Sequence, residues 1–202
     1  MPKATYKIHP NAETSFGSID DLLAASMELN KPILIFTNDL RPNEYAAGIV
    51  AMVFEEWFVF KRIDPLGRAD GYSCIPLDIV FRAEADTQLV NRITTLWKIQ
   101  GDAHRALAPT ETDLLTGFLE NARQSQTVVS LEILDSRVYD LTGFVQHLDD
   151  AFVKIGLLDP YGTVTGATLI SIDSITQASM DSLEERALQK LHDYNLKIGN
   201  LT

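Results

Sequence analysis

The chain has 202 residues, 46% apolar and 22% charged, with a formal net charge of -11 and one cysteine, which is a globular rather than a disordered composition. Its apolar stretches, such as residues 46–54, are broken by charge well before the roughly 18 residues a membrane helix needs, and its acidic balance disfavours bulk attraction to a nucleic-acid backbone. The lone Cys74 excludes an internal disulfide and a thiolate metal site. With no apolar run behind Lys3 and Lys7, it makes the cytoplasm the expected compartment, without a membrane partner.

In chain order, residues 1–17 read as a tail. Ser18 then caps an amphipathic helix carrying Ile19, Leu22, Leu23 and Met27. Strands are predicted over 32–36, 46–53 and 57–63, each rich in β-branched and apolar residues. The segment Asp64-Pro65-Leu66-Gly67 specifies a type I turn: aspartate accepts from the backbone, proline fixes φ, and glycine suits the last position. A fourth strand over 73–76, a short element over 77–80, and a helix capped by Asp86 with Leu89, Ile93 and Leu96 on its apolar face complete a first unit, residues 18–100. Residues 101–109 form a linker.

The second unit, residues 110–202, reads in the same order. Thr110 leads a helix bearing Leu114, Leu115, Phe118 and Leu119, and strands follow over 127–134, 141–148 and 151–158. Asp159-Pro160-Tyr161-Gly162 repeats the turn. A strand over 168–172, a short element over 172–175 and a helix with Asp181 as cap follow, Asp181 and Glu184 forming a capping box. Displacing the sequence by 95 positions brings residues 48–98 onto 143–193 without a gap, and 11 of those 51 positions are identical, against roughly three by chance. Asp64, Pro65 and Gly67 meet Asp159, Pro160 and Gly162, and Gly71 meets Gly166. Upstream, Asp21-Leu22-Leu23 matches Asp113-Leu114-Leu115 with a slip of three, so the leading helix belongs to the repeat.

A helix followed by five short, strongly bent strands resembles the Sm-like fold, a small SH3-type barrel, over residues 18–83 and again 110–178. The resemblance implies an α+β, mainly β protein of two tandem five-stranded barrels with flanking helices, whose open strand edges join subunits. It also implies an RNA-contact aspartate and asparagine near the turn between strands two and three. Asp149 stands at the first position of the second copy but Val153 at the other, and the first copy has Phe54 and Phe58 there. The arginine-glycine or lysine-histidine pair of the family is replaced by Pro76-Leu77 and Ser171-Ile172.

No set of residues reads as a catalytic, cofactor or metal site. His9, His104, His147 and His192 show no ligand spacing, Glu55-Glu56 and Asp149-Asp150 read as solvated turns, and Cys74 aligns with Leu169, a packing position. The copies differ where Phe54 meets Asp149 and Val59 meets Lys154. The first copy thus carries an apolar group, Phe54, Trp57, Val59 and Phe60, that either enlarges its own core or is covered by the other repeat or a second subunit. The expected function is a non-enzymatic binding, scaffold or regulatory role acting on a protein partner or on self. The first alternative is RNA binding through a rim of Arg41, Lys61, Arg62 and Arg68, and the second is an enzyme with a site between the repeats.

Overall fold

The computed structural model describes residues 17–108 and 113–199. The first half contains α1 (Ile19–Leu29), β1 (Ile33–Phe36), β2 (Ala46–Phe54), β3 (Trp57–Ile63), β4 (Ala69–Pro76), β5 (Arg82–Glu84) and α2 (Gln88–Gln100). The second contains α3 (Leu114–Ser125), β6 (Val128–Ile133), β7 (Leu141–Leu148), β8 (Phe152–Leu158), β9 (Val164–Ser171), β10 (Ile175–Met180) and α4 (Leu183–Gly199). A 3-10 turn, Ile172–Ser174, links β9 to β10. The chain is therefore α+β with strands predominating. Among the described residues no helix is long and apolar enough to cross a membrane.

The helix starts follow local chemistry. Ser18 Oγ accepts the Asp21 amide at 3.1 Å, as expected of an N-cap. The expected cap Thr110 lies outside the described residues; Asp113 caps α3, accepting the Thr116 amide at 2.7 Å. For the other two helices the expected caps are one residue early. Thr87 caps α2, and Ser182 Oγ accepts the Glu185 amide at 3.1 Å while Glu185 Oε2 accepts the Ser182 amide at 2.9 Å. The capping box is therefore Ser182/Glu185, not Asp181/Glu184. Asp86 and Asp181 instead take left-handed φ values of 60° and 59° at the bend from strand to helix, a conformation that aspartate tolerates better than most residues.

Both Asp-Pro-x-Gly turns form as read. Asp64 Oδ1 accepts the Leu66 and Arg68 amides at 2.9 and 2.8 Å, and Asp159 Oδ1 accepts those of Tyr161 and Thr163 at the same distances.

The strands make one open antiparallel sheet of ten, in the order β5-β1-β2-β3-β4-β10-β6-β7-β8-β9. β4 pairs with β10, so the five strands of each half belong to one shared sheet, and two tandem five-stranded barrels are not shown. Within each half the order is nevertheless the same, with the first strand between the second and the fifth. The register of the repeat also changes. Ile33 pairs with Gly48 and Val129 with Gly143, so the leading helix and first strand are related by 96 residues, and everything from the second strand on by 95. Leu22 and Leu23 thus correspond to Phe118 and Leu119, not to Leu114 and Leu115.

Burial follows this equivalence. In the first half Leu22, Leu23, Ile33, Ile35, Phe58 and Phe60 pack under α1. The corresponding Phe118, Leu119, Val129, Leu131, Val153 and Ile155 pack under α3. A second cluster on the opposite face of β1 and β2, including Leu34, Phe36, Ile49, Val90 and Ile93, fixes α2. The equivalent positions in the second half are Ser130, Glu132, Phe144, Glu185 and Leu188, a markedly more polar set.

Candidate functional site

The seam between the halves is the most elaborated part of the molecule. Along it Cys74, Ser73 and Tyr72 of β4 pair with Ala178, Ser179 and Met180 of β10. The outer side of the first half, Val59, Tyr72 and Cys74, merges into the core of the second, so that Leu114, Leu115 and Phe118 of α3 share one cluster with them. Polar bonds reinforce the seam at its end. Asp70 Oδ1 accepts the Leu183 amide at 2.9 Å, its other oxygen lies 3.2 Å from Arg62 Nη2, and Arg186 Nη2 donates to the Ala69 carbonyl at 2.6 Å.

Residues 102–107 run alongside as a strap. Asp102 Oδ2 accepts the Ala69 amide at 2.9 Å, Tyr72 donates its hydroxyl to the Arg105 carbonyl at 2.6 Å, and Arg105 Nη1 donates to Thr127 Oγ1 at 3.0 Å. His104 lies over Tyr72 with ring centroids 5.5 Å apart and bonds the Arg62 carbonyl through Nε2. Burial holds its pKa below the ordinary histidine value. Cys74 is fully buried and its thiol pKa is pushed up by desolvation, the reverse of what a nucleophile requires.

At the two ends of the sheet lie the strands equivalent to those joined at the seam. β9 corresponds to β4, and β5 to β10, and among the described residues neither β9 nor β5 has a second strand partner. The contrast between β4 and β9 is large: Cys74 is 0% exposed, whereas its counterpart Leu169 is 63% exposed. Val164 on β9 and Phe152 on β8 are exposed as well. At the seam Gly71 has φ 70°, and a Cβ there would come within 2.3 Å of the Asp181 carbonyl carbon and the Met180 oxygen. At its counterpart Gly166, φ is 154° and no atom lies within 4 Å of the added carbon.

The apolar group singled out in the sequence divides. Val59 lies in the cluster shared with α3, and Trp57 packs against it. Phe60 belongs to the first half's own core, and Phe54 is 45% exposed at the β2–β3 turn. The cationic rim divides too. Arg68 is bound to Asp64 at 2.6 Å within the turn, and Lys61 lies in a groove beside Trp97 and His104. Arg41 and Arg62 come together in a different cleft, over the seam. The described residues contain no group of three or more side chains able to hold a metal ion.

Sequence reasoning missed Glu185. It stands where the first half has Val90, is 3% exposed, and accepts hydrogen bonds from the Ser179 hydroxyl and the Ser182 amide. Burial raises its pKa, an effect these bonds only partly offset. The folded state therefore holds this proton more tightly than the unfolded chain. The stabilisation is complete below the ordinary glutamate value and is lost as pH rises through the raised one. Glu185→Gln is expected to gain on the wild-type chain in urea midpoint as pH climbs from about 4 to about 8. A difference that stays constant over that interval would show that the carboxyl does not titrate there.

No protein-family model, curated protein or solved structure matches the chain.

Proposed function

We propose that this protein is a non-catalytic scaffold built from two Sm-like halves, and that it assembles head to tail with copies of itself through the two sheet edges that have no partner strand among the described residues. One observation carries the reading: the β4–β10 seam is a working example, within one chain, of the joint that β9 and β5 can make between chains. Transferring its register pairs Leu169 with Ala83, Thr168 with Glu84 and Ala167 with Ala85. Such a joint satisfies a row of open backbone groups and covers Leu169 and its exposed apolar neighbours. An interface between two different edges is heterologous, so it closes into a ring or continues as a filament. We place the protein in the cytoplasm, because the buried, unpaired Cys74 suits a reducing compartment.

Light scattering on the full chain is expected to give a multiple of the 22.5 kDa chain mass. Ile172 donates its amide to the Ala151 carbonyl, so by the two-residue alternation of the β8–β9 ladder the amides of Ile170 and Thr168 face β8 and that of Leu169 faces the open edge. Leu169→Pro, which removes that outward donor, is expected to return the mass to a single chain with the spectrum of a folded protein. A wild-type mass of one chain at tens of micromolar, or an oligomer indifferent to Leu169→Pro, overturns the proposal.

A further inference from the structure

The loop joining β1 to β2 and the loop joining β6 to β7 face each other across the seam and enclose a cleft of about 340 Å³, within the range of small-molecule sites. The cleft exists only because the halves abut. Ser73 and Ile75 of β4 form its buried base, with Gln177 of β10 beside them. Arg41 and Tyr45 come from the first loop, Arg137 and Tyr139 from the second, and Arg62 from β3.

Three guanidinium groups converge here against two carboxylates, Glu44 and Glu132, in a chain whose net charge is -11. Each guanidinium has a carboxylate partner that a phosphate would share or displace, Arg62 being held 3.2 Å from Asp70. Glu44 is 3.5 Å from Arg41 on the exposed rim, and Glu132 is occupied by the Arg137 amide and the Thr176 hydroxyl, each at 3.2 Å. Arg137 reaches across the two loops to Asp39 at 3.3 Å. That ion pair joins the two halves at the cleft.

The base supplies an independent sign of a ligand. Ser73 is 1% exposed, yet its hydroxyl oxygen makes no hydrogen bond of acceptable geometry, although the Tyr139 hydroxyl lies near it. Buried hydroxyls are rarely left in this state. Tyr139 accepts from Gln177 Nε2 at 2.7 Å, and burial of its hydroxyl end raises its pKa. A ligand with an oxygen over Ser73, negative charge among the arginines and a flat ring beside Tyr45 or Tyr139, both of which line the cleft, meets these conditions. Arginine forks match phosphate oxygens in pairs, and tyrosine rings favour a planar partner.

We propose that this cleft binds a phosphate ester carried on a planar ring, the chemistry of a nucleoside monophosphate unit. The site is independent of the open sheet edges, so it stands or falls separately from self-assembly.

Calorimetric titration of the full chain with AMP, UMP and inorganic phosphate tests the proposal, the mass of each sample being recorded alongside. Saturable binding of a nucleotide below about 1 mM is expected, at least tenfold tighter than inorganic phosphate. Arg41→Gln and Arg137→Gln are each expected to weaken it about tenfold or more. Arg68→Gln, remote from the cleft, is expected to leave it unchanged. Ser73→Ala is expected to weaken it several-fold without lowering the urea midpoint, because it removes an unpaired hydroxyl. An oligouridylate that binds more tightly than UMP would assign the unit to an RNA strand, and equal affinity would assign it to the free nucleotide; both support the site. No saturable binding at several millimolar, nucleotide and phosphate binding equally, or affinity unmoved by Arg41→Gln and Arg137→Gln each overturns it.

Discussion

Gly71→Ala is expected to cost roughly 2–5 kcal/mol of unfolding free energy, read as a fall in the urea midpoint. The left-handed φ of 70° costs an L-residue about 1–2 kcal/mol by itself. The new carbon meets the backbone of Met180 and Asp181 at 2.3 Å, and backbone cannot yield as the end of a flexible side chain can. Either β4 and β10 separate locally or the bonds from Leu183 and Arg186 to the end of β4 are lost. Overpacking of this kind adds about 1–3 kcal/mol, a large share of the 5–15 kcal/mol typical of a domain.

Gly166→Ala is the internal comparison, because it repeats the substitution at the free edge. Its backbone conformation is also unfavourable to an L-residue, but nothing lies within 4 Å of the added carbon. Its expected cost is roughly 1–2 kcal/mol, the backbone part alone. In an assembly built on the seam geometry, however, the same methyl would meet the backbone of the next chain. Gly166→Ala should therefore dissociate the oligomer while lowering the stability of each chain only slightly. Equal losses from the two substitutions would show that contact across the seam contributes nothing at Gly71.

Much of this arrangement was legible in the sequence, where local chemistry decides it. The Ser18 cap and both Asp-Pro-x-Gly turns form as read, because each depends on residues within four positions of one another. The order of elements in the two halves follows from the repeat. The helix alignment failed for a physical reason: the slip from Leu114-Leu115 to Phe118-Leu119 is four residues, about one helical turn. It returns apolar residues to the same face and leaves no trace in the pattern. The single open sheet was not legible either. Cys74 and Leu169 are both apolar strand residues, and nothing near them distinguishes an interior strand from an edge. The cleft was hidden most deeply. Arg41 and Arg62 were singled out, but Arg137 joins them through a loop in which Leu134, Asp135 and Arg137 adopt left-handed conformations without a glycine to announce them.

The shared cluster makes a further large effect accessible. Phe118 is 1% exposed and belongs to a core that includes Val59, Tyr72 and Cys74 from the first half. Removing its ring leaves a cavity that the surrounding strands can only partly close, and Phe118→Ala is expected to cost about 3–5 kcal/mol. Both tryptophans, Trp57 and Trp97, lie in the first half. Trp57 packs against the shared cluster that contains Phe118, whereas Trp97 packs against the first half's own cluster, so in a Trp57→Phe background the remaining fluorescence reports on the first half alone. If the seam unites the halves into one cooperative unit, the fluorescence and circular dichroism transitions of Phe118→Ala in that background will coincide and shift together. If the halves unfold independently, the tryptophan transition will stay at the midpoint of Trp57→Phe alone while the dichroism splits into two steps. That outcome would reduce the seam to a contact between two autonomous folds, and the free edges would then have no strong joint to copy.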